Sequence, residues 1–137
     1  MQQRRLAIAG TLAVVVHAVI AAFHGAAHSE LGIQMSPAEN AFINSVIVAA
    51  PIVAAVGLWT RFASAAALLL AVAMGGSLLF GVYHHYIVIS PDHVAHLPAG
   101  SAQGLFRATA VLLVLSEAAG IVIGASGTLR MQRRVGT

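Results

Sequence analysis

The chain has 137 residues, of which 59% are hydrophobic and 8% charged, against about 25% charged in an ordinary soluble domain, so water is not its main solvent. Its net charge of +3 comes from arginines at the ends of apolar runs, not from a basic stripe, which argues against a nucleic-acid partner. The absence of cysteine excludes disulfides, thiolate zinc sites and cysteine-held iron–sulfur clusters.

Four apolar runs follow one another, each long enough for a helix to cross a hydrocarbon core about 30 Å thick. The expected helices are 6–27, 39–59, 62–86 and 104–125, with outer loops at 29–38 and 88–103. The fold class is therefore all-α: an integral membrane four-helix bundle with antiparallel neighbours, one transmembrane domain over 1–137.

The first helix starts behind Arg4 and Arg5. His17, His24 and His28 are spaced seven and four apart, so they share one stripe with Gly10 and Ala21. Small residues mark helix contacts in membranes, and the stripe should face the bundle. His17 lies ~16 Å in from the arginine end. A secretory signal cleaved after Ala27 would remove His17 and His24. The run from Leu6 to Ala22 is longer than most signal cores, which favours a retained helix.

The first outer loop ends in Ser36-Pro37-Ala38-Glu39, the pattern of a capping box with proline at the first helical position. In the second helix, Asn40 and Asn44 form a polar start, and Pro51 should free a carbonyl and kink the helix. Trp59 reads as an interface anchor. The link Thr60-Arg61-Phe62 is minimal, so helices two and three should be antiparallel neighbours.

In the third helix, Ala73, Ser77, Gly81 and His85 recur every four residues, which turns His85 inward. His84, ~100° away, belongs to the edge of that face or to the headgroups. Tyr83 and Tyr86 read as interface anchors. In the second outer loop, Ser90 should cap a short helix opened by Pro91 and closed by Pro98, with Asp92 complementing its dipole. His93 and His96 would then form an i,i+3 pair. Arg107 is expected to snorkel to headgroups or to pair with Asp92.

The fourth helix carries a small-residue ridge at Ser116, Gly120 and Gly124. Glu117 sits ~18 Å in from the outer end. A carboxylate there costs ~2.5–3.5 kcal/mol on insertion scales, so it should be paired, protonated or in a wet cavity.

Orientation follows from charge. Arg4, Arg5, Arg61, Arg130, Arg133 and Arg134 fall on one side, and Arg107 alone on the other. The positive-inside rule places both termini in the cytoplasm, and the expected location is a bacterial inner (plasma) membrane. Each half reads arginine, helix, histidines, Ser-Pro, the pattern of a loose two-plus-two repeat.

His24, His28, His84, His85, His93 and His96 thus gather at one depth on one side, and they form the expected metal set. Imidazole suits zinc, copper, iron and nickel. Asp92 and Glu30 would add oxygen ligands or orient an imidazole from behind. His17 and Glu117 read either as an intramembrane relay or as one structural hydrogen bond between helices one and four. Three functions follow. The first is transition-metal handling at the outer face. The second is electron transfer by a b-type haem between helices one and three, with His24 and His85 as axial ligands. The third is an accessory role in a homo-oligomer or larger membrane complex, with the lipid bilayer as the constant partner.

"HGAAH" and "HH" look somewhat like the histidine boxes of membrane di-iron desaturases and hydroxylases. Those families carry more histidines on longer helices and an HxxHH pattern that this chain lacks. No Walker loop, nucleophile elbow or dinucleotide fingerprint occurs, and no catalytic residue is assigned. Of four methionines only Met35 is near an outer loop, which argues against a Cu(I) carrier.

Overall fold

The computed structural model describes residues 2–135, with side chains from 3 to 132. Arg133 and Arg134, counted above for orientation, have side chains outside that range. Four helices make up the chain: α1 (Gln2–Glu30), α2 (Pro37–Gly57), α3 (Ala63–Ile87) and α4 (Gln103–Val135). No strand occurs among the described residues. All four helices are long and apolar enough to cross a membrane. The fourth runs beyond the expected end near 125. Hydrophobicity fades there, but the backbone ladder continues, and the hydroxyls of Ser126 and Thr128 are satisfied by the carbonyls of Ile123 and Gly124 instead of capping the helix.

Neighbours pack in the order α1, α4, α3, α2, and α1 meets α2 chiefly over Ala50–Gly57. One end of the bundle carries Arg4, Arg5, Arg61 and Arg130. There the Trp59 indole donates to Thr11 Oγ1 at 2.9 Å, and the Gln3 amide donates to the Thr60 carbonyl at 3.0 Å. The core of this half is apolar, built on Ala7, Val14, Ala54, Leu58, Ala67, Leu70 and Met74. The small-residue ridge of α4 packs backbone to backbone on α3. A Cβ on Gly124 would stand 2.6 Å from the Ala67 carbonyl oxygen and 2.7 Å from the Ala71 nitrogen.

The histidine-bearing end is held differently. The helix α1 closes with Gly32 at φ +67°, where Ile33 N donates to His28 O at 3.0 Å and Gly32 N to Ser29 O at 3.2 Å. That double bond is a Schellman stop, and only glycine takes its left-handed turn without strain. The capping box opens α2 as the sequence predicts: Ser36 Oγ accepts from Glu39 N at 3.3 Å, and the Glu39 carboxylate accepts from Ser36 N at 2.6 Å. A second apolar cluster then forms a roof from Ala27, Leu31, Ile33, Leu97, Ala102 and Phe106.

Three local expectations need correction. Before Pro51, α2 widens into a π-helical stretch, Ile43–Ala49, instead of kinking at the proline alone. Pro51 has no N–H for the Ile47 carbonyl, and a looser turn accommodates the loss. The stretch from Pro91 to Pro98 is a chain of turns, not a helix. Its donors are already committed: Asp92 N to Ser90 Oγ, His93 N to Ser90 O, and Val94 N to His85 O, so no i→i+4 ladder begins. Arg107 does not pair with Asp92; its guanidinium donates to the Val94 carbonyl at 2.9 Å and pins that loop.

Candidate metal centre

The last turn of α3, Tyr83–Ile87, is also π-helical, with Val88 N donating to Tyr83 O at 2.9 Å. It delivers His85 into the bundle and leaves His84 on its flank. His85 is 6% exposed and meets His24 of α1, which is 7% exposed. Their Nε2 atoms are 3.1 Å apart. One turn further along α1, His28 brings its Nε2 to 3.2 Å from that of His24. The three rings pack around Phe106 of α4, at centroid distances of 4.5, 5.0 and 5.2 Å.

The outward nitrogens fix the tautomers. Thr109 Oγ1 spends its proton on the carbonyls of Leu105 and Phe106, so it accepts from His24 Nδ1 at 2.8 Å. His85 Nδ1 faces two acceptors, the Asp92 carbonyl at 3.1 Å and Asp92 Oδ1 at 3.2 Å. Both imidazoles therefore carry their proton on Nδ1 and turn an Nε2 lone pair toward the other. Two lone pairs at 3.1 Å repel unless a cation or proton lies between them. The sequence suggests this device poorly. Thr109 is detectable only as the residue seven positions before Ser116, on the same stripe of α4.

Asp92 stands beside the cluster, with Oδ1 3.2 Å from His28 Nε2 as well as from His85 Nδ1. It is 5% exposed, and both carboxylate oxygens are buried, with the two imidazoles as their close polar neighbours. Burial alone pushes this carboxyl upward, but the hydrogen bond from His85 and the charges of His85, His28 and His24 hold it below its ordinary value. Among the described residues, His24, His28 and His85 form the group whose ligand atoms lie close enough to share one ion, all within 4.8 Å.

No protein-family model, curated protein or solved structure matches this chain.

The other expected residues lie elsewhere. His84 packs against Phe80, ring centroids 4.3 Å apart and tilted by 37°, and reaches Glu39 at 3.7 Å. His93 and His96 meet each other, Nδ1 to Nδ1 at 3.1 Å, in the outer loop. Glu30 accepts from the Ser101 hydroxyl, which ties the end of α1 to the approach to α4. Deeper in the bundle, His17 and Glu117 do face each other, 1% and 3% exposed. Their separation of 4.0 Å is too long for the expected structural hydrogen bond. Ser116 Oγ lies 3.5 Å from His17 Nδ1, and the Ile47 carbonyl released by Pro51 lies against the same imidazole. His17 Nε2 and Glu117 Oε2 have no hydrogen-bond partner among the described residues.

A cavity of about 350 Å³ connects these two levels. His24, His28 and His85 line it near the roof, and Glu117 lines its deep end. Below Glu117 the cavity ends on the packed apolar core of the arginine half.

Proposed function

We propose that this is an integral membrane protein, both termini cytoplasmic, that binds a divalent transition metal through His24, His28 and His85 at its extracytoplasmic end. The observation that carries the reading is the approach of the His24 and His85 Nε2 lone pairs to 3.1 Å, with their opposite nitrogens already engaged and His28 Nε2 at 3.2 Å from His24 Nε2. Tetrahedral zinc with Zn–N bonds of 2.0–2.1 Å sets its ligand atoms about 3.3 Å apart, close to those two spacings; the three ligand atoms together lie within 4.8 Å, and the wider pair would close on the ion. Thr109 and Asp92 would hold the rings in the ligating tautomer, and the Asp92 carboxylate would offset part of the ion's charge. Imidazole ligands without thiolate or thioether suit zinc, iron, copper(II) or nickel.

An ion is favoured over haem by the same distances. Axial nitrogens on one haem iron lie on opposite faces of the macrocycle, roughly two ~2.0 Å bonds apart. His24 and His85 are closer than that, and His28 shares their meeting point. The competing occupant is a proton, which would make His85 an imidazolium beside Asp92.

Three of four tetrahedral positions come from histidine, the ligand set of catalytic more than of structural zinc sites. The reading therefore extends to a centre that engages a further ligand, whether to transfer the ion or to act on that ligand. Elemental analysis and an optical spectrum on one detergent-purified sample test it. Stoichiometric metal, lost in His24→Ala/His28→Ala, is the expected result. A Soret band would select haem instead. Neither metal nor haem after reconstitution with both would leave a protonated histidine network and refute the metal centre.

A further inference from the structure

We propose that the cavity beside the histidine centre is a ligand chamber entered sideways from the bilayer. Its ligand is a neutral amphiphile with an apolar body and one metal-ligating oxygen or nitrogen. The inference rests on the metal centre and membrane insertion proposed above.

The roof is closed. Ile33, Leu31 and Ala27 pack on Leu97, Ala102 and Phe106, so the loop between α1 and α2 seals the end of the bundle. The floor is closed by Glu117 and the core beneath it. The opening is located by the lining residues that are exposed: Gly25, Ser29, Gln34 and Asn40. All four lie on α1, on α2 or on the loop joining them; every lining residue from α3 and α4 is at least partly buried. The helices α1 and α2 meet over Ala50–Gly57 and separate toward the histidines, with the π-helical stretch of α2 at the edge of the gap. The mouth is therefore a side window between α1 and α2 that runs from Gly25 up to Ser29, Gln34 and Asn40 at the helix ends; its lower edge, at Gly25, is where a bundle in a bilayer meets lipid.

The lining sets the ligand class. Ala21, Ile43, Ile47, Leu113 and Val114 supply an aliphatic wall. Among the described residues no lysine or arginine lines the cavity to balance an anionic headgroup. At the roof the three histidines line the chamber while Asp92 lies outside the lining, so an ion held by them would stand at the chamber's edge, within reach of a ligand inside it. At the far end Glu117 Oε2, buried and without a partner, is available to a second polar group on the ligand. A volume of about 350 Å³ is at the small end of ligand pockets.

Gly25 supplies the test. A Cβ there would meet nothing within 4 Å, so Gly25→Leu and Gly25→Phe place their bulk at the window from a position with free space at the first side-chain carbon. The protein is loaded with Co(II) in lipid nanodiscs, and 1-hexylimidazole is mixed in while the visible cobalt bands are followed by stopped flow. The wild type should show a band shift. Gly25→Phe should retain stoichiometric cobalt and bind the probe at least roughly ten-fold more slowly, with Gly25→Leu between; Ala99→Phe, on the exposed outer loop, should behave as wild type. Cobalt-loaded protein that gives no band shift, or unchanged rates in Gly25→Phe, would overturn the chamber and leave the metal centre standing. Failure to take up cobalt at all would overturn the metal centre, and this inference with it.

Discussion

Replacing Thr109 by valine tests the centre at the atom on which its argument turns. Valine matches threonine in shape, so no cavity opens; what disappears is the acceptor 2.8 Å from His24 Nδ1. His24 can respond in two ways. It can keep its Nδ1 proton, which then points at a methyl group, and an unpaired buried donor costs about 1–3 kcal/mol. It can instead move the proton to Nε2, which abolishes the lone pair that faces His85. Both outcomes weaken the bound metal. Loss of such an orienting partner typically lowers metal affinity about 10–100-fold, or ~1.4–2.7 kcal/mol.

The assay is competition for Zn(II) against a chromophoric chelator in detergent, with Thr109→Ser alongside. Serine keeps the hydroxyl and should restore most of the affinity, which a purely structural role for Thr109 would not require. The metal-free Thr109→Val protein should lose at most that ~1–3 kcal/mol in thermal unfolding, and Thr109→Ser, which keeps the hydroxyl of this buried position, less. An affinity for Thr109→Val within two-fold of wild type would refute the tautomer argument, and with it the assignment of His24 as a ligand through Nε2.

Three further outcomes are expected. His28→Ala and His85→Ala should each abolish stoichiometric metal by elemental analysis, whereas His84→Ala and a His93→Ala/His96→Ala double variant should retain it, because those rings pair with Glu39 or with each other. Gly124→Ala should lower stability by about 1–3 kcal/mol in thermal unfolding, since its Cβ would press on the α3 backbone, while Gly75→Ala meets open space and should be neutral or slightly stabilising. The chain has no cysteine, so single-cysteine labelling is free of background: Ala99→Cys should react with an impermeant maleimide in intact cells, and Thr60→Cys only after permeabilisation. The reverse pattern would invert the proposed orientation.

Much of the scaffold was legible because bilayer-scale apolar runs and small-residue spacings are strong signals. The stripe of His17, His24 and His28 faces inward, the Ser36 capping box forms, and the Gly120–Gly124 ridge packs on α3. The site was legible only in part. A shared depth suggested one set of six histidines, but depth does not specify azimuth. His84 and His85 are adjacent on α3 and lie ~100° apart on a helix, as their spacing implies; the π-helical turn at Tyr83–Ile87 is what no local pattern in "YHHYI" announces. The loop after α3 misled for a related reason. Ser90-Pro91-Asp92 is a valid helix start, yet its donors are taken by Ser90 and by the His85 carbonyl, a long-range bond that sequence spacing cannot foresee. Thr109 was missed because a lone threonine on an apolar helix more often bonds its own backbone, which it also does here.

The two halves of the bundle divide the work, and the division begins at Pro51. On its arginine side, alanine and glycine let the helices touch, and Leu58, Leu70 and Met74 fill the remaining space completely. On its histidine side, α2 loosens and leans away from α1, and polar groups that no close-packed core would tolerate gain room. Burying three close-set imidazoles, the Asp92 carboxylate and a Glu117 whose Oε2 has no partner among the described residues is unfavourable. That cost falls on one half only, and the dense half together with the roof around Phe106 offsets it. A bundle built for stability alone would carry the alanine–glycine packing of α3 and α4 through to both ends. The chain instead interrupts it at the level of Glu117, and everything beyond that level, up to the roof, surrounds the cavity and the histidines.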